Sequence, residues 1–221
     1  MTFIIAEISG NHGGDLHKAQ ELIWWAAKSG CDAVKFQFYK PEDLGGEYDP
    51  QSNFPVPEDW LDDLFSTAYR AGVPLFASVF APWAIEVLRD FSPFAYKLAS
   101  PESTRLQPHI YRALALAVTH EFAKLFVSTG LDDLEMMRGL HPDILFYCKA
   151  GYPAVIDERD IQLMDMMRGG FSDHTAGIIS TLAMIHAGAT HIEKHFKVDE
   201  CCIDSEFSLN PAQMKLLCEK A

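Results

Sequence analysis

The sequence is poor in basic residues. It contains 18 Lys and Arg residues against 31 Asp and Glu residues, which gives a formal net charge of −13 at pH 7. Proteins that bind nucleic acids or anionic membranes present clustered positive charge, and no such cluster occurs along this chain. We therefore expect small-molecule ligands, and an anionic ligand must be held by a few lysines gathered in a pocket.

The sequence also lacks a Cys-x-x-Cys pair, a long apolar run and a leader-like N-terminus. Its five cysteines are an odd number, as is typical of a reduced intracellular protein. Adjacent Cys201 and Cys202 are interpreted as loop residues without a function. No segment approaches the roughly 18 apolar residues of a membrane span, and no basic segment precedes the first apolar run. We expect a cytoplasmic protein.

Short β-prone segments alternate with helical patterns along the whole chain. About eight such units occur with no two strands in succession, which is typical of a parallel sheet with helical crossovers. No Gly-x-Gly-x-x-Gly follows the first strand, as an open dinucleotide-binding sheet would require. We predict one domain over residues 1–221 with the α/β fold of a (β/α)8 TIM barrel. Because such barrels typically have about 250 residues, this one must be compact, with trimmed helices.

The eight predicted strands are Phe3–Ile8, Asp32–Phe38, Pro74–Phe80, Phe94–Ser100, Lys124–Gly130, Ile144–Lys149, Gly170–Asp173 and Thr190–Phe196. In the second strand, Phe36 lies on an apolar face, while Lys35 and Gln37 share the other face. In a closed barrel that polar face points to the centre, where a lysine needs an anion. An exposed edge strand is the alternative. The Pro- and Gly-rich segment Pro41–Pro57 predicts a long loop over one face.

Polar residues recur where the predicted strands end. They are Glu7, Lys35, Gln37, Lys97, Ser100, Ser128, Ser172, His174, Glu193 and His195. In TIM barrels this rim carries the active site. Lysines with hydroxyls are suited to a phosphate or carboxylate anion. His174 and His195 are one strand-helix unit apart, so they can share a divalent metal, with Asp173, Glu193 and Lys194 beside them. The alternative is two polar residues that only satisfy strand ends.

Several short motifs carry a family resemblance. They are Ile4-Ile5-Ala6-Glu7-Ile8 with Asn11, His12 and Gly14, Ala33-Val34-Lys35-Phe36-Gln37, Tyr96-Lys97-Leu98-Ala99-Ser100, Ser128-Thr129-Gly130, Ser172-Asp173-His174-Thr175, Glu193-Lys194-His195-Phe196 and Phe207-Ser208-Leu209. In this order they resemble the N-acetylneuraminate (sialic acid) synthase family over nearly the whole chain. Related enzymes such as 3-deoxy-octulosonate-phosphate synthase share the reaction type and the fold.

The resemblance implies a transferase of carbohydrate biosynthesis that uses phosphoenolpyruvate. It would condense phosphoenolpyruvate with the open-chain aldehyde of an N-acylhexosamine similar to N-acetylmannosamine, giving a nonulosonic acid and phosphate. The implied cofactor is Mn²⁺, with Mg²⁺ or Co²⁺ as alternatives, held by His174 and His195 so that it polarises the aldehyde oxygen.

The resemblance also implies roles for other residues. The implied phosphoenolpyruvate-binding residues are Lys35, Lys97, Ser100, Ser128 and Ser172. The implied catalytic residues are Glu7, Glu193 and Lys35, with the two carboxylates orienting water or moving protons. The implied sugar contacts are Gln37, Tyr152 and Asp204.

The chain departs from the family pattern at three places. Val79 stands where the family has a hydroxyl, so we expect one donor near phosphoenolpyruvate to be missing. After strand six, Ala150 and Lys149 occupy a stretch where the family has a threonine, and we expect Lys149 to compensate by charge. The loop between His195 and Phe207 is shortened.

The resemblance covers the barrel and not the antifreeze-like domain that follows it in the family and lends an arginine to the partner subunit's sugar site. A smaller, different or phosphorylated acceptor is therefore expected, and a homodimer is one expectation for assembly. Two other interpretations stay open. One is a non-catalytic ligand-binding barrel subunit, and the other is a metal-dependent sugar-acid aldolase or lyase.

Overall fold

The computed structural model describes residues 1–44, 49, 53–100, 108–119 and 123–221. Within the predicted loop Pro41–Pro57, Gly45, Gly46 and Pro50 lie outside the described residues. The sequence pattern also predicts a helix over Leu106–Thr119, and its start at Leu106 lies outside the described residues.

Eight parallel strands form a closed barrel in which each strand pairs with the next and the last pairs with the first. The strands are β1 Phe3–Glu7, β2 Ala33–Phe38, β3 Leu75–Val79, β4 Ala95–Leu98, β5 Lys124–Thr129, β6 Ile144–Cys148, β7 Gly170–Asp173 and β8 His191–His195. Every predicted strand is present, with its ends within two residues of the expected positions. The predicted TIM barrel is therefore confirmed.

Helices surround the barrel in the order that the sequence pattern predicts. Those in the described part of the chain are α1 Leu16–Ser29, α2 Leu61–Ala71, α3 Pro82–Leu88, α4 Pro108–Val118, α5 Leu134–Arg138, α6 Glu158–Met167, α7 Ile179–His186 and α8 Pro211–Lys220. The helices α3 and α5 have only 7 and 5 residues, as expected of a compact barrel. Among the described residues, no helix has both the length and the apolar character needed to cross a bilayer.

Helix α1 shows how local sequence places an element. The Asp15 side chain accepts hydrogen bonds from the backbone N–H groups of His17 and Lys18, which satisfies donors that the first turn leaves open. Gly30 ends the helix with a φ of 92°, a left-handed conformation that costs a residue with a side chain about 1–2 kcal/mol. The sequence predicts both ends, because Asp15 is a residue type that caps helices and Gly30 is placed to end this one.

The core has an outer and an inner layer. The outer layer fills the space between strands and helices and includes Phe36 and Val79. The inner layer fills the N-terminal half of the barrel and consists of Ile5, Ala33, Phe76, Ala95, Phe126 and Phe146. Phe126 is its centre, with ring centroids 5.8 Å from Phe76 and 5.6 Å from Phe146. Because apolar side chains close this end, polar side chains and open space are left at the C-terminal end.

Candidate active site

A cavity of about 430 Å³ opens at the C-terminal ends of the strands. It gathers all twelve predicted site residues, and its lining includes Glu7, Lys35, Gln37, Lys97, Ser100, Ser128, Tyr152, Ser172, His174, Glu193, His195 and Asp204. The strand period explains this convergence. Alternate residues point to the barrel centre, and the register aligns Glu7 with both Lys35 and His195 across the neighbouring strands.

The floor of the cavity is a buried charge cluster. Glu193 accepts a hydrogen bond from Lys97 Nζ at 2.6 Å and lies 3.4 Å from Lys35 Nζ. The Ser172 hydroxyl donates to the same carboxylate at 2.9 Å. Lys35 also forms an ion pair with Glu7. Two ammonium groups and two carboxylates are thus packed together at 5% side-chain exposure or less. The sequence predicted an anion for the lysines, but it did not predict that the protein supplies these carboxylates.

The charge cluster shifts the pKa values of Glu7 and Glu193 in opposite directions. Burial raises the pKa of Glu7 above its ordinary value, although Lys35 opposes the shift. Burial also acts on Glu193, but Lys35 and Lys97 outweigh it and hold the pKa of Glu193 far below the usual range. Burial lowers the pKa of Lys97. For Lys35, the pull of Glu193 and Glu7 exceeds the effect of burial and raises the pKa. Glu193 is therefore an anion, and Glu7 is the carboxyl group that is easier to protonate.

Two imidazoles form one wall of the cavity. The rings of His174 and His195 have centroids 5.2 Å apart, which confirms that β7 and β8 bring them together. Nδ1 of His195 lies 2.8 Å from Oδ2 of Asp204, and Nδ1 of His174 lies 3.8 Å from Sγ of Cys148. Burial, reinforced by the neighbouring His195, lowers the pKa of His174 to about 3. His174 is therefore neutral and can offer a nitrogen lone pair.

Aromatic rings hold this wall in place. Tyr152 packs against His174 with ring centroids 4.6 Å apart, and Phe207 packs against His195 at 4.8 Å. Tyr152 remains 52% exposed at the rim of the cavity. The shortened loop before Phe207 still places Asp204 at the cavity.

The sequence predicts Asp173 and Lys194 beside the two histidines, and this prediction is wrong, because neither residue lines the cavity. They alternate with the cavity-facing residues and point outward, where Lys194 Nζ lies 3.2 Å from Asp173 Oδ2 and both side chains are fully buried. Thr181 donates a hydrogen bond of 2.5 Å to Asp173, and Lys194 donates to the carbonyl of Thr175. This ion pair is structural, since it joins β7, β8 and α7 behind the site.

Two expectations drawn from the differences between this chain and the family pattern are wrong, one at Val79 and one at Lys149. Val79 is buried in the outer core layer, so a hydroxyl there would not face the cavity. The inward residue of β3 is Ser78, which accepts a hydrogen bond from Lys35 Nζ at 2.6 Å. Lys149 does not compensate by charge, because its Nζ is bound to Asp160 at 2.6 Å. Ala150 is exposed and does not line the cavity.

Sequence reasoning missed the side chain that connects the loops of the site. The Asn11 amide donates to the carbonyl of Phe196 at 2.9 Å and to the hydroxyl of Ser208 at 3.1 Å. Its carbonyl oxygen accepts from the backbone N–H of Asp204 at 3.1 Å. Asn11 thus fixes the loop after β8 against the loop after β1. Asn11 belongs to the first sequence motif, but nothing local in that motif shows partners almost 200 residues away.

The donor set fits a divalent ion only in part. The two imidazoles can supply two nitrogen ligands from neighbouring strands. Across the described ranges, no group of three or more His, Cys, Asp or Glu side chains is arranged to hold a metal ion. An ion here would therefore leave coordination positions to water and substrate, as catalytic metal sites do.

The fold and the site define a TIM barrel with a charged cavity at its C-terminal rim. The profile of the NeuB family matches residues 22–221, and the chain belongs to this family. The prediction from the motifs is thereby confirmed, including the class of enzyme, a synthase of the sialic acid synthase type.

Named relatives cover nearly the whole chain. Pseudaminic acid synthase of Campylobacter jejuni is 32% identical, with 97% of this chain and 71% of that protein covered. N,N'-diacetyllegionaminic acid synthase of the same species is 30% identical, with 98% and 74% covered. The crystal structure of N-acetylneuraminic acid synthetase from Leptospira borgpetersenii in complex with citrate has a TM-score of 0.82 and 27% identity, with 99% of this chain and 82% of that chain covered.

Proposed function

We propose that this protein condenses phosphoenolpyruvate with the open-chain aldehyde of an N-acylhexosamine, with the help of a divalent metal ion. A carbon–carbon bond forms between the methylene carbon of phosphoenolpyruvate and the aldehyde carbon. One water molecule is consumed and phosphate leaves, so the product is a nonulosonic acid. The observation that carries the proposal is the single cavity in which buried lysines, hydroxyls and two imidazoles meet. The names of the relatives support it.

Phosphoenolpyruvate would bind at the floor. Lys35 and Lys97 are 3% and 1% exposed, and Glu193 pairs with both of them in the absence of a ligand. The buried hydroxyl of Ser128 has no hydrogen-bond partner among the described residues. An unsatisfied buried donor is rare and calls for an explanation, and a phosphate or carboxylate oxygen would provide one. Ser100 and Ser172 line the same floor.

His174 and His195 would hold the divalent ion, for which Mn²⁺ is our first choice. Bound there, the ion would supply Lewis acidity to an aldehyde oxygen. The protein's own contribution is to present two uncommitted ring nitrogens from adjacent strands. Glu7 pairs in register with His195 on the neighbouring strand and lines the same cavity, so we assign it to act on the reacting atoms.

The two carboxylates suit different roles. A proton-transfer group works best when its pKa is near the working pH, and the raised pKa of Glu7 fits that role. Glu193 has the opposite shift, so we assign it as the counter-ion of the lysines instead of a group that moves protons. Environments that drive two carboxyl groups apart in pKa commonly mark an acid-base assignment.

The acceptor sugar would lie above this floor. Tyr152 lines the cavity and is half exposed at its rim. Gln37 Nε2 donates to the Ser9 hydroxyl at 3.3 Å, which leaves its second N–H and its carbonyl oxygen for ligands. The Asp204 carboxylate is engaged with His195. Tyr152 and Gln37 are therefore the better candidates for direct sugar contact.

A phosphate-release assay tests this proposal. Purified protein is incubated with phosphoenolpyruvate, Mn²⁺ and a panel of N-acylhexosamines and aldose phosphates, and the product mass is determined. We expect phosphate release that depends on one acceptor and is abolished in His174→Gln. No release with any acceptor, together with no thermal shift from phosphoenolpyruvate, would refute the proposal. Product formed from pyruvate in place of phosphoenolpyruvate would favour the aldolase interpretation.

A further inference from the structure

Both cavity histidines have the same ring nitrogen engaged. Nδ1 of His195 lies within hydrogen-bond distance of the Asp204 carboxylate, and Nδ1 of His174 contacts the sulfur of Cys148, at the distances given above. No side chain in the described part of the chain hydrogen-bonds to Nε2 of either ring. Since both rings line the cavity, Nε2 is in each case the nitrogen left for a ligand.

We infer that Cys148 and Asp204 are positioning residues that fix the tautomers of the two histidines. A neutral imidazole carries its proton on one nitrogen and offers a lone pair on the other, and the partner of one nitrogen decides which is which. The Asp204 carboxylate can only accept, so Nδ1–H donated to it leaves Nε2 of His195 unprotonated. The Cys148 thiol can accept from Nδ1–H of His174 or donate S–H to Nδ1, and the inference is that it accepts, which leaves Nε2 of His174 unprotonated as well. The inference builds on the metal site of the proposed function, although the tautomers themselves are a property of the protein without metal.

The backbone holds both positioning residues rigidly. Cys148 ends β6, pairs in register with Ser172 on β7 and is 2% exposed. Asp204 is fixed through its own N–H by Asn11. Rigid support of this kind lets a partner set ring orientation, because a mobile partner would lose the geometry. The sequence alone does not indicate this role for either residue, because the family resemblance implies a sugar contact for Asp204 and no role for Cys148.

Asp204 and Cys148 differ in their strength as hydrogen-bond acceptors. A carboxylate is a strong, charge-assisted acceptor, whereas a thiol sulfur is a weak one. Partners of metal-binding histidines typically contribute about 10–100-fold to metal affinity. We therefore expect Asp204→Ala to weaken Mn²⁺ binding by about 100-fold and Cys148→Ala by about 10-fold.

The primary test is nitrogen NMR of the metal-free protein with ¹⁵N-labelled histidine at pH 8. The chain has nine histidines, and the signals of interest are assigned by their loss in His174→Gln and His195→Gln. In the wild type we expect both rings to carry the proton on Nδ1. In Cys148→Ala we expect His174 alone to move toward the Nε2–H tautomer, and in Asp204→Ala we expect the same of His195 alone. Cys148→Ser, which keeps an acceptor, should retain the wild-type tautomer.

Mn²⁺ binding, followed by electron paramagnetic resonance, provides the second readout. Cys218→Ala is the matched control, because that thiol lies on α8 away from the cavity, and it should leave both readouts unchanged. If the variants lower thermal stability without moving any tautomer, the two residues are merely structural and the inference is wrong.

Direct ligation by the thiol is the competing explanation. A sulfur-to-metal charge-transfer band in Co²⁺-loaded wild-type protein that disappears in Cys148→Ala would establish it and overturn the inference for Cys148. If the tautomers shift as expected but the wild type binds no Mn²⁺, the inference stands and the metal-dependent function fails.

Discussion

Replacing Glu193 with glutamine removes one negative charge from the centre of the barrel. The carboxylate contacts Lys97 Nζ at 2.6 Å and Lys35 Nζ at 3.4 Å, with 5% side-chain exposure. Glutamine keeps the shape and the hydrogen bond with Ser172, so the change isolates the charge. Glu7, which pairs with Lys35, is then the carboxylate that remains in the cluster.

The magnitude follows from the burial of the cluster. Removing one partner of a buried ion pair typically costs about 3–5 kcal/mol, because the other charge is left uncompensated. Burial already lowers the pKa of Lys97, so this lysine can lose its proton and limit the cost. We therefore expect a loss near the lower end, about 3 kcal/mol. At about 2–4 °C per kcal/mol for a protein of this size, the melting temperature should fall by about 6–12 °C.

Thermal unfolding of Glu193→Gln beside Glu135→Gln measures the effect. Glu135 is 86% exposed and pairs with Arg138 on the surface, where an ion pair contributes at most about 1 kcal/mol. Inorganic phosphate should restore more stability to Glu193→Gln than to the wild type, because the anion replaces the missing charge. A melting temperature for Glu193→Gln within 1 °C of that for Glu135→Gln would refute the reasoning.

Three further changes test separate parts of the structure. Ser128→Ala should leave the melting temperature unchanged but weaken phosphoenolpyruvate binding about 10-fold, as measured by calorimetry, because one hydrogen bond to a charged group is lost. An unchanged affinity would show that Ser128 does not bind phosphoenolpyruvate. Asp173→Asn should cost about 3–5 kcal/mol in urea unfolding, since Lys194 has no exposure to water; a change below 1 kcal/mol would contradict a structural ion pair. His12 is fully buried with its pKa lowered by burial to about 4, so the unfolded chain takes up the proton first as pH falls below about 6.5. Stability should therefore be lost between pH 6.5 and 4, and His12→Gln should reduce the loss between pH 6.5 and 5 by about 1.5 kcal/mol.

The sequence predicted the barrel because its determinants are local. Helix α1 illustrates this, since Asp15 and Gly30 act on backbone groups within one turn. Alternation along β2 placed Lys35 and Gln37 inward by the same short-range rule. The spacing of His174 and His195 correctly predicted that the two rings lie close together. A strand-helix unit has a regular length, so equivalent positions in neighbouring units meet at the same rim.

Charges and hydrogen bonds between distant strands could not be predicted in this way. Nothing near Lys97 shows that Glu193, on the opposite side of the barrel, will neutralise it. The wrong expectation at Val79 has a different origin, because a motif alone does not show which face of β3 a residue occupies. Alternation would have selected Ser78 instead, because it aligns with Lys97 on β4.

The central claim is that the floor lysines and the two histidines form one site, in which phosphoenolpyruvate and a divalent ion bind next to each other. Crystals soaked with Mn²⁺ and phosphoenolpyruvate, with data collected at the manganese absorption edge, test it most directly. We predict an anomalous peak within ligand distance of Nε2 of both His174 and His195, and phosphoenolpyruvate oxygens on Lys35, Lys97 and Ser128. Phosphoenolpyruvate bound elsewhere, or manganese absent from the histidine pair, would contradict the account.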